Sequence, residues 1–428
     1  MKKVIILSYF FTPCNLTASQ RALGWAKYLK EFGFYPVIIT RNWDLPIAKP
    51  EDTGRSSGTA IVHEKFDDYE VYYLPYKSSL RDRIYLKKST SKINVVLRKT
   101  LTFLELILFN FTTKVLPYRN LYSFSKNYLE KNRDIEHLII SASPFPMFRF
   151  GYLLNKKFGI KWLADYRDDW GTNEVRIYSE LEKFLNIFER NSERKWVKTA
   201  SMVSSISNHY TNKIKGFTGK EGETLLNGYF EEDFENLQLN GSSDFTVIYN
   251  GTLYNSQPVE RILNAFHVFL KQNEAHAAMI KFVFAGAAYD PQQVQRIRNV
   301  SQSFSDNVVI TDRKPRKEIL DIQYSGHVLI MISHSDCKGI PSSKLYEYMA
   351  IGKPIISFPP DKDIVDETLG RFNLGYICSS ENEITDKLNE TFQEFLGKTN
   401  TLVPDREYVR LFSRRQQVKK TADLLAKM

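Results

Sequence analysis

The sequence predicts an α/β protein built from two Rossmann-like, doubly wound domains facing one another across a cleft. Three observations carry that expectation: the chain length, two successive series of alternating strand-like and helix-like segments, and chemistry-bearing residues gathered at predicted strand ends. At 428 residues the chain exceeds one ordinary core, and domains of about 150 to 200 residues divide it into two or three. Hydrophobic residues make up 43% of it, enough to fill such interiors.

The first series opens with "KKVIILSYF", then "SQRALGWAKYLKEFG", then "YPVIIT". Short Val/Ile-rich runs alternating with helical patterns argue for a parallel sheet covered by helices. Gly33 sits where the first helix stops. The pattern resumes with "EHLIISAS", a helix from about Phe145 to Phe158, "KWLADYRD", a long helix from about Ser179 to Lys198, "ASMVSSIS" and "GETLLNG". Between these blocks lies an insertion at about 77–120. Its residues 77–99 hold eight Lys or Arg against one Asp, followed by the apolar run "LTFLELILFNF" at 101–111. A basic amphipathic helix beside an apolar one suits an anionic membrane surface. The alternative is a solvated helix that packs its apolar neighbour into the domain.

Acidic and then Gly/Ser-rich sequence at 228–244 marks a linker between domain 1–227 and domain 245–405. The second series runs through "FTVIYNG", a helix from about Pro258 to Lys271, "IKFVFAG", "NVVITD", "GHVLIMIS" and "KPIISF". Residues 406–428 form a C-terminal helix able to cross back to the first domain. In such sheets ligands sit beyond the carboxyl ends of the strands.

The net charge of +10 suits an anionic partner: nucleotide phosphate, nucleic acid or an acidic membrane. Abundant Lys, Asn, Ile and Phe make codon bias a competing source of that charge. RNA-binding signatures are missing, so no nucleic-acid partner is expected. Cys14, Cys337 and Cys378 are an odd set without CxxC spacing, pointing to neither a disulfide framework nor a zinc site, and to a reducing cytoplasm. "MKKVIILSYFF" imitates a signal peptide but lacks the small-residue cleavage site, and is read as a strand. The run at 101–111 is about half a bilayer span and contains Glu105, so no crossing segment is expected.

The densest chemistry lies in "GIPSSKLYEYMAIGKPIISF", residues 339–358. A helix starting near Ser342 and stopping at Gly352 presents its N-terminal N–H groups and partial positive charge to phosphate. Ser342 or Ser343 caps the helix or donates to a phosphate, and Lys344 adds a full charge. Glu347, three residues on, shares that face and can accept two ribose hydroxyls. These types suit a nucleoside diphosphate. A plain N-cap with a Lys344–Glu347 ion pair accounts for them equally well.

"IPSSKLYEYMAIGKPII" resembles the donor-site helix of the GT-B glycosyltransferases of family 4. "SYFFTPCNLTASQRALGWAKYLKEFGFYPVIIT", "SASPFPMFRFGYLLNKKFGIKWLADYRDDW", "LLNGYFEEDF" and "IYNGTLYNSQPVERILNAF" are similar to that family's segments in the same order, across nearly the whole chain. The resemblance implies a retaining hexosyltransferase of the bacterial surface-polysaccharide type, capsule or lipopolysaccharide. It would move a sugar from a nucleotide donor to a glycan or lipid-linked acceptor, without a metal or other cofactor. The cytoplasmic setting read from the cysteines becomes peripheral to the inner face of the plasma membrane if residues 77–111 touch lipid. Two departures stand out. Gly339 replaces the first Glu of the family's Glu-x7-Glu, and the "NGTLYNSQPVE" loop has Asn255 and Gln257 where Arg or Lys often stands. Lys344, the helix terminus and Arg313 or Arg316 must then neutralise the diphosphate.

The donor set is accordingly Ser19, Gly251, Thr252, Asn255, Gln257, Arg313, Ser342, Ser343, Lys344 and Glu347. "ADYRDDWG" ends a predicted strand and supplies the acceptor set: Arg167, Asp168 and Asp169, joined by Arg21. The alternative there is a strand-end salt bridge. Asp168 and Lys344 are the residues expected nearest the reacting centre. Fixed cations and N–H dipoles act where charge develops on the leaving diphosphate, and the leaving phosphate itself can take the acceptor proton. "DKD" at 361–363 matches a metal motif of another fold, at a frequency chance explains. Rival functions are a UDP-sugar 2-epimerase of the same architecture and a non-catalytic binding protein.

Overall fold

A computed structural model describes every residue except 48–49, 88–90, 173–179, 236, 238–242, 335–337, 341 and 398–402. The chain divides into two compact units, Met1–Leu226 with Gln417–Met428, and Asn227–Gln416. The middle of the predicted linker, the loop residues 335–337 with Cys337, and Pro341 lie outside the described residues.

The first unit holds eight strands: β1 (Lys2–Ser8), β2 (Phe34–Arg41), β3 (Val62–Lys65), β4 (Glu70–Leu74), β5 (His137–Ala142), β6 (Lys161–Tyr166), β7 (Met202–Ser205) and β8 (Gly222–Thr224). Their order is β3-β4-β2-β1-β5-β6-β7-β8, parallel except for β3, which runs antiparallel to β4. Ile5 pairs with Val37 on one side and Leu138 on the other. Such central strands bury both faces, which is why they read as unbroken aliphatic runs. Helices α1 (Thr17–Tyr28), α2 (Leu80–Leu86), α3 (Lys92–Leu108), α4 (Arg119–Lys131), α5 (Met147–Phe158), α6 (Glu180–Val197) and α7 (Asn208–Thr218) complete the unit.

The insertion differs from its expectation. The basic residues 92–99 and the apolar run to Leu108 form one helix, α3. No Gly or Pro separates the two halves, so the helix propagates through both. It is preceded by α2, whose cap is a reciprocal box: Asp82 N–H donates to Ser79 Oγ (3.2 Å) and Ser79 N–H to Asp82 Oδ2 (2.9 Å). Among the described residues no helix is long and apolar enough to cross a membrane.

The second unit has strands β9 (Phe245–Asn250), β10 (Ile280–Ala285), β11 (Val308–Ile310), β12 (Val328–Ile332), β13 (Ile355–Phe358) and β14 (Gly375–Ile377). All are parallel, in the order β11-β10-β9-β12-β13-β14. This doubly wound order reverses direction between β9 and β12, as the first sheet does between β1 and β5, and ligands bind at such reversal points. Helices α8 (Val259–Gln272), α9 (Pro291–Val300), α10 (Arg316–Ser325), α11 (Ser343–Ile351), α12 (Ile364–Leu369), α13 (Glu381–Gly397) and α14 (Arg406–Arg410) follow. The aromatic core joins Phe245, Phe266, Phe269, Phe282 and Phe392. The last helix, α15 (Arg414–Lys427), belongs to the first unit from Gln417 onward. Trp25 Nε1 donates to Thr421 Oγ1 at 3.1 Å, and Leu425 packs with Ile6 and Trp25. Cys14 and Cys378 are free and buried. Burial pushes both thiols up to about 11, which leaves them unreactive.

Glu193 of α6 is fully buried. It accepts from Tyr166 Oη (3.0 Å) and from the Gly171 N–H (3.0 Å), and burial pushes its carboxyl up to about 8. The folded protein therefore holds this proton more tightly than the unfolded chain. The stability it contributes is complete below the unfolded value of about 4.3 and is lost as pH rises to about 8. Thermal unfolding from pH 5 to 9 should show Tm falling more steeply in the wild type than in Glu193→Gln.

Candidate functional site

The loop after β9 and the start of α11 meet at the reversal point of the second sheet. Lys344, in the first turn of α11, donates from Nζ to Tyr249 Oη at 3.0 Å. Tyr249 is fully buried, and its hydroxyl donates a hydrogen bond to the Thr252 carbonyl at 2.9 Å. This path crosses Gly251, whose φ of +103° favours glycine; a Cβ there would lie 2.7 Å from Lys344 Cε. The loop is pinned by the Gly251 N–H to the Ala285 carbonyl (2.7 Å) and the Asn250 N–H to Tyr348 Oη (2.9 Å). The Lys344 side chain is only half-buried overall, but its ammonium is packed among protein atoms. Burial lowers it to about 8, with Tyr254 and Glu347 pulling the other way. The ammonium donates to a neutral phenol and, among the described residues, pairs with no carboxylate, an arrangement that favours an anionic ligand.

Glu347 does not pair with Lys344. Its Oε1 accepts from Arg316 Nη1 at 2.9 Å, and Arg316 Nε donates to Asp233 Oδ2 at 2.7 Å. The side chain is 7% exposed, and Oε2 keeps its acceptor capacity. Arg316 is thereby committed to two carboxylates, whereas Arg313 stays beside the loop. Its guanidinium lies 3.5 Å from the Tyr289 ring centroid and donates to Thr252 Oγ1 at 3.2 Å. Ser342 is the N-cap of α11, its Oγ accepting from the Lys344 N–H, and Ser343 opens the helix. Gly251, Thr252, Arg313, Ser342, Ser343, Lys344 and Glu347 thus belong to one end of the second sheet.

Two expected donor residues serve the loop itself. Gln257 is buried; its amide donates to the Ile332 carbonyl (2.6 Å) and accepts from the Tyr254 N–H (3.0 Å). Asn255 accepts from Gln293 Nε2 at 2.7 Å. The Asp361 carboxylate accepts from the N–H groups of Asp363, Val365 and Asp366, so the "DKD" aspartate caps α12.

In the first unit the acceptor set separates. Arg21, expected to meet an acceptor, is instead buried in a bidentate pair with Asp165: Nε lies 2.8 Å from Oδ2, and Nη1 donates to the Leu225 carbonyl at 2.7 Å. Asp165 is fully buried and also accepts from Ser141 and Ser204, locking α1 to β5, β6 and β7. Removing one partner of such a pair costs about 3–5 kcal/mol. Asp169 is paired with Lys213 at 2.9 Å. Ser19, expected near donor phosphate, is buried and donates back to the Leu16 carbonyl at 2.8 Å. Arg167 and the exposed Asp168 remain available at the end of β6, so the strand-end salt bridge explains part of the cluster and leaves these two over.

Sequence reasoning missed Tyr249, Asp233 and His334. His334 follows β12 at the reversal point and its Nδ1 lies 2.8 Å from Ser256 Oγ. Burial and the Lys344 charge keep it below the usual histidine range. Its signal was position, directly after "VLIMIS". Asp233 lay in sequence read as linker.

Residues 244–394, all within the second unit, match the family model "Glycosyl transferases group 1". Among solved structures, a UDP-forming α,α-trehalose-phosphate synthase from Burkholderia xenovorans superposes with a TM-score of 0.64 at 11% identity, covering 99% of this chain and 100% of that one. A second, from Burkholderia vietnamiensis, gives 0.62 at 13%, covering 99% and 96%. Sucrose-phosphate synthase from Thermosynechococcus elongatus gives 0.58 at 15%, covering 99% and 95%. These likenesses show the GT-B fold over the full chain. Comparison with curated proteins finds no match.

A Lys344 near 8 is cationic below that pH and neutral above it, so a diphosphate should bind more weakly as pH rises. Calorimetric titration of the best-binding nucleoside diphosphate from pH 7 to 9 should show affinity declining toward tenfold per pH unit above 8. Lys344→Met should lack this limb.

Proposed function

We propose that the protein is a retaining glycosyltransferase of the family 4 kind, moving a hexose-type sugar from a nucleoside-diphosphate donor to a glycan or lipid-linked acceptor in cell-surface polysaccharide biosynthesis. The observation that carries this reading is the joint placement of Lys344, Arg313 and the α11 N-terminus around the Gly251–Thr252 loop, with Glu347 on the same helix. Two cations and a row of N–H groups match a diphosphate. A carboxylate held by Arg316 yet open at Oε2 suits the ribose hydroxyls.

In this reaction the acceptor hydroxyl attacks the anomeric carbon as the bond to the donor phosphate breaks. Lys344 and Arg313 stabilise the charge that develops on the leaving diphosphate. A phosphate oxygen takes the acceptor proton, so no separate base is required. Arg167 and Asp168 are assigned to the acceptor, with Asp168 nearest the reacting hydroxyl. No metal is assigned: the cations that balance the diphosphate come from the chain. UDP leads the list of nucleotides because solved proteins of like fold are named as UDP-forming.

A thermal-shift panel of UDP, GDP, ADP and their sugars should single out one base, with about 2.7 kcal/mol of added stability at a hundred times its Kd. Proton NMR of the first product formed from that donor should show retained anomeric configuration, and Lys344→Ala should lose at least about a hundredfold in turnover. An inverted product, or a Lys344→Ala enzyme of unaltered kinetics, contradicts the proposal.

A further inference from the structure

We propose that the outward face of α3 docks the first unit on an anionic lipid bilayer. On α3 the residues Ile93, Val96, Leu97, Leu104 and Leu108 are all exposed. Their spacing places them on one side of a helix of 3.6 residues per turn. Ile93 is 77% exposed, and Phe111, just past the helix end, is 76% exposed. No α3 residue is fully buried. Five large apolar residues on one helix face, interrupted by the exposed Thr100, mark an interaction face rather than scattered exposure.

The opposite side of the same helix is already partnered. Thr102, Glu105 and Leu106, with Phe109 beyond the helix end, line a cavity of about 380 Å³. Glu105 holds Arg81 of α2 at 2.7 Å, and Arg98 lies over the Tyr85 ring, 5.3 Å from its centroid. The helix is therefore fixed in rotation, and its apolar row must face outward. Tyr9, Phe10, Pro144 and Pro146 also line this cavity, from the loops after β1 and β5, at the reversal point of the first sheet.

Charge selects the occupant. Lys92 and Lys99, seven residues apart and both exposed, flank the row on one side, and Arg83 of α2 and Lys87 just past its end are exposed as well. Apolar residues bordered by lysines match the acyl boundary and headgroups of an anionic membrane surface. A second copy of the chain would bring the same cations to the seam. With no helix among the described residues able to cross a bilayer, attachment is at the interface. It would place the cavity behind α3 at the lipid surface, which narrows the acceptor proposed above to one presented there.

Flotation with phosphatidylcholine vesicles, with and without phosphatidylglycerol, tests this. The wild type should rise with the anionic vesicles, less so in high salt, and remain behind with the neutral ones. Leu97→Glu/Leu104→Glu and Lys92→Glu/Lys99→Glu should each weaken binding about tenfold or more, with Tm and nucleotide binding unchanged. That unchanged nucleotide binding separates this result from any failure of the transfer reading. The proposal is overturned if the wild type ignores anionic vesicles, if the leucine variant floats as the wild type does, or if sedimentation reveals a dimer that the leucine substitutions dissolve.

Discussion

The Lys344 ammonium is held against a backbone that has no side chain at Gly251, and the chemistry proposed for the second unit depends on that close approach. A lysine in solution keeps its charge by staying hydrated. Here burial lowers it to about 8, and Tyr249 supplies one neutral oxygen. An ammonium in that state gains more from a phosphate than a hydrated one does, because little water has to be displaced. The glycine, the buried phenol and the N-terminus of α11 are the means by which the fold keeps a cation in readiness.

The first unit uses buried charge in the opposite way. Arg21 and Asp165 satisfy one another and reach the Leu225 carbonyl and two serines, so the pair holds three strands and a helix together and has no capacity left for a ligand. Asp169 with Lys213 is similar. The contrast sorts structural from functional ions by their remaining valence: Arg167 and Asp168 at the end of β6, and Glu347 Oε2, keep some, whereas Arg21 keeps none.

Most of the two sheets was legible because aliphatic runs alternate with amphipathic helices, whereas the exposed β3 and its neighbour β4, joined without a helix, gave no such signal; α11 was legible because capping serines, Lys344 and Glu347 share its start. What stayed hidden was pairing at long separation. Nothing local in "TDRKPRK" says that Arg316 turns to Glu347 and Asp233 while Arg313 stays at Thr252. Nor does "SQRALGW" disclose that Arg21 reaches a strand 144 residues away. The basic segment 77–99 and the apolar segment 101–111 read as two neighbouring helices by composition, yet residues 92–108 are continuous. The backbone, lacking any breaker between them, makes one, and that continuity lines up the exposed row on α3.

The most direct test of the account is the affinity of Gly251→Ala for the nucleoside diphosphate, measured by calorimetry beside circular dichroism of the same protein. A Cβ at this positive-φ position meets Lys344 Cε at 2.7 Å and Nζ at 3.3 Å, so the end of the lysine side chain must shift, and affinity should fall by about tenfold or more with the fold intact. Affinity equal to the wild type would contradict the central claim.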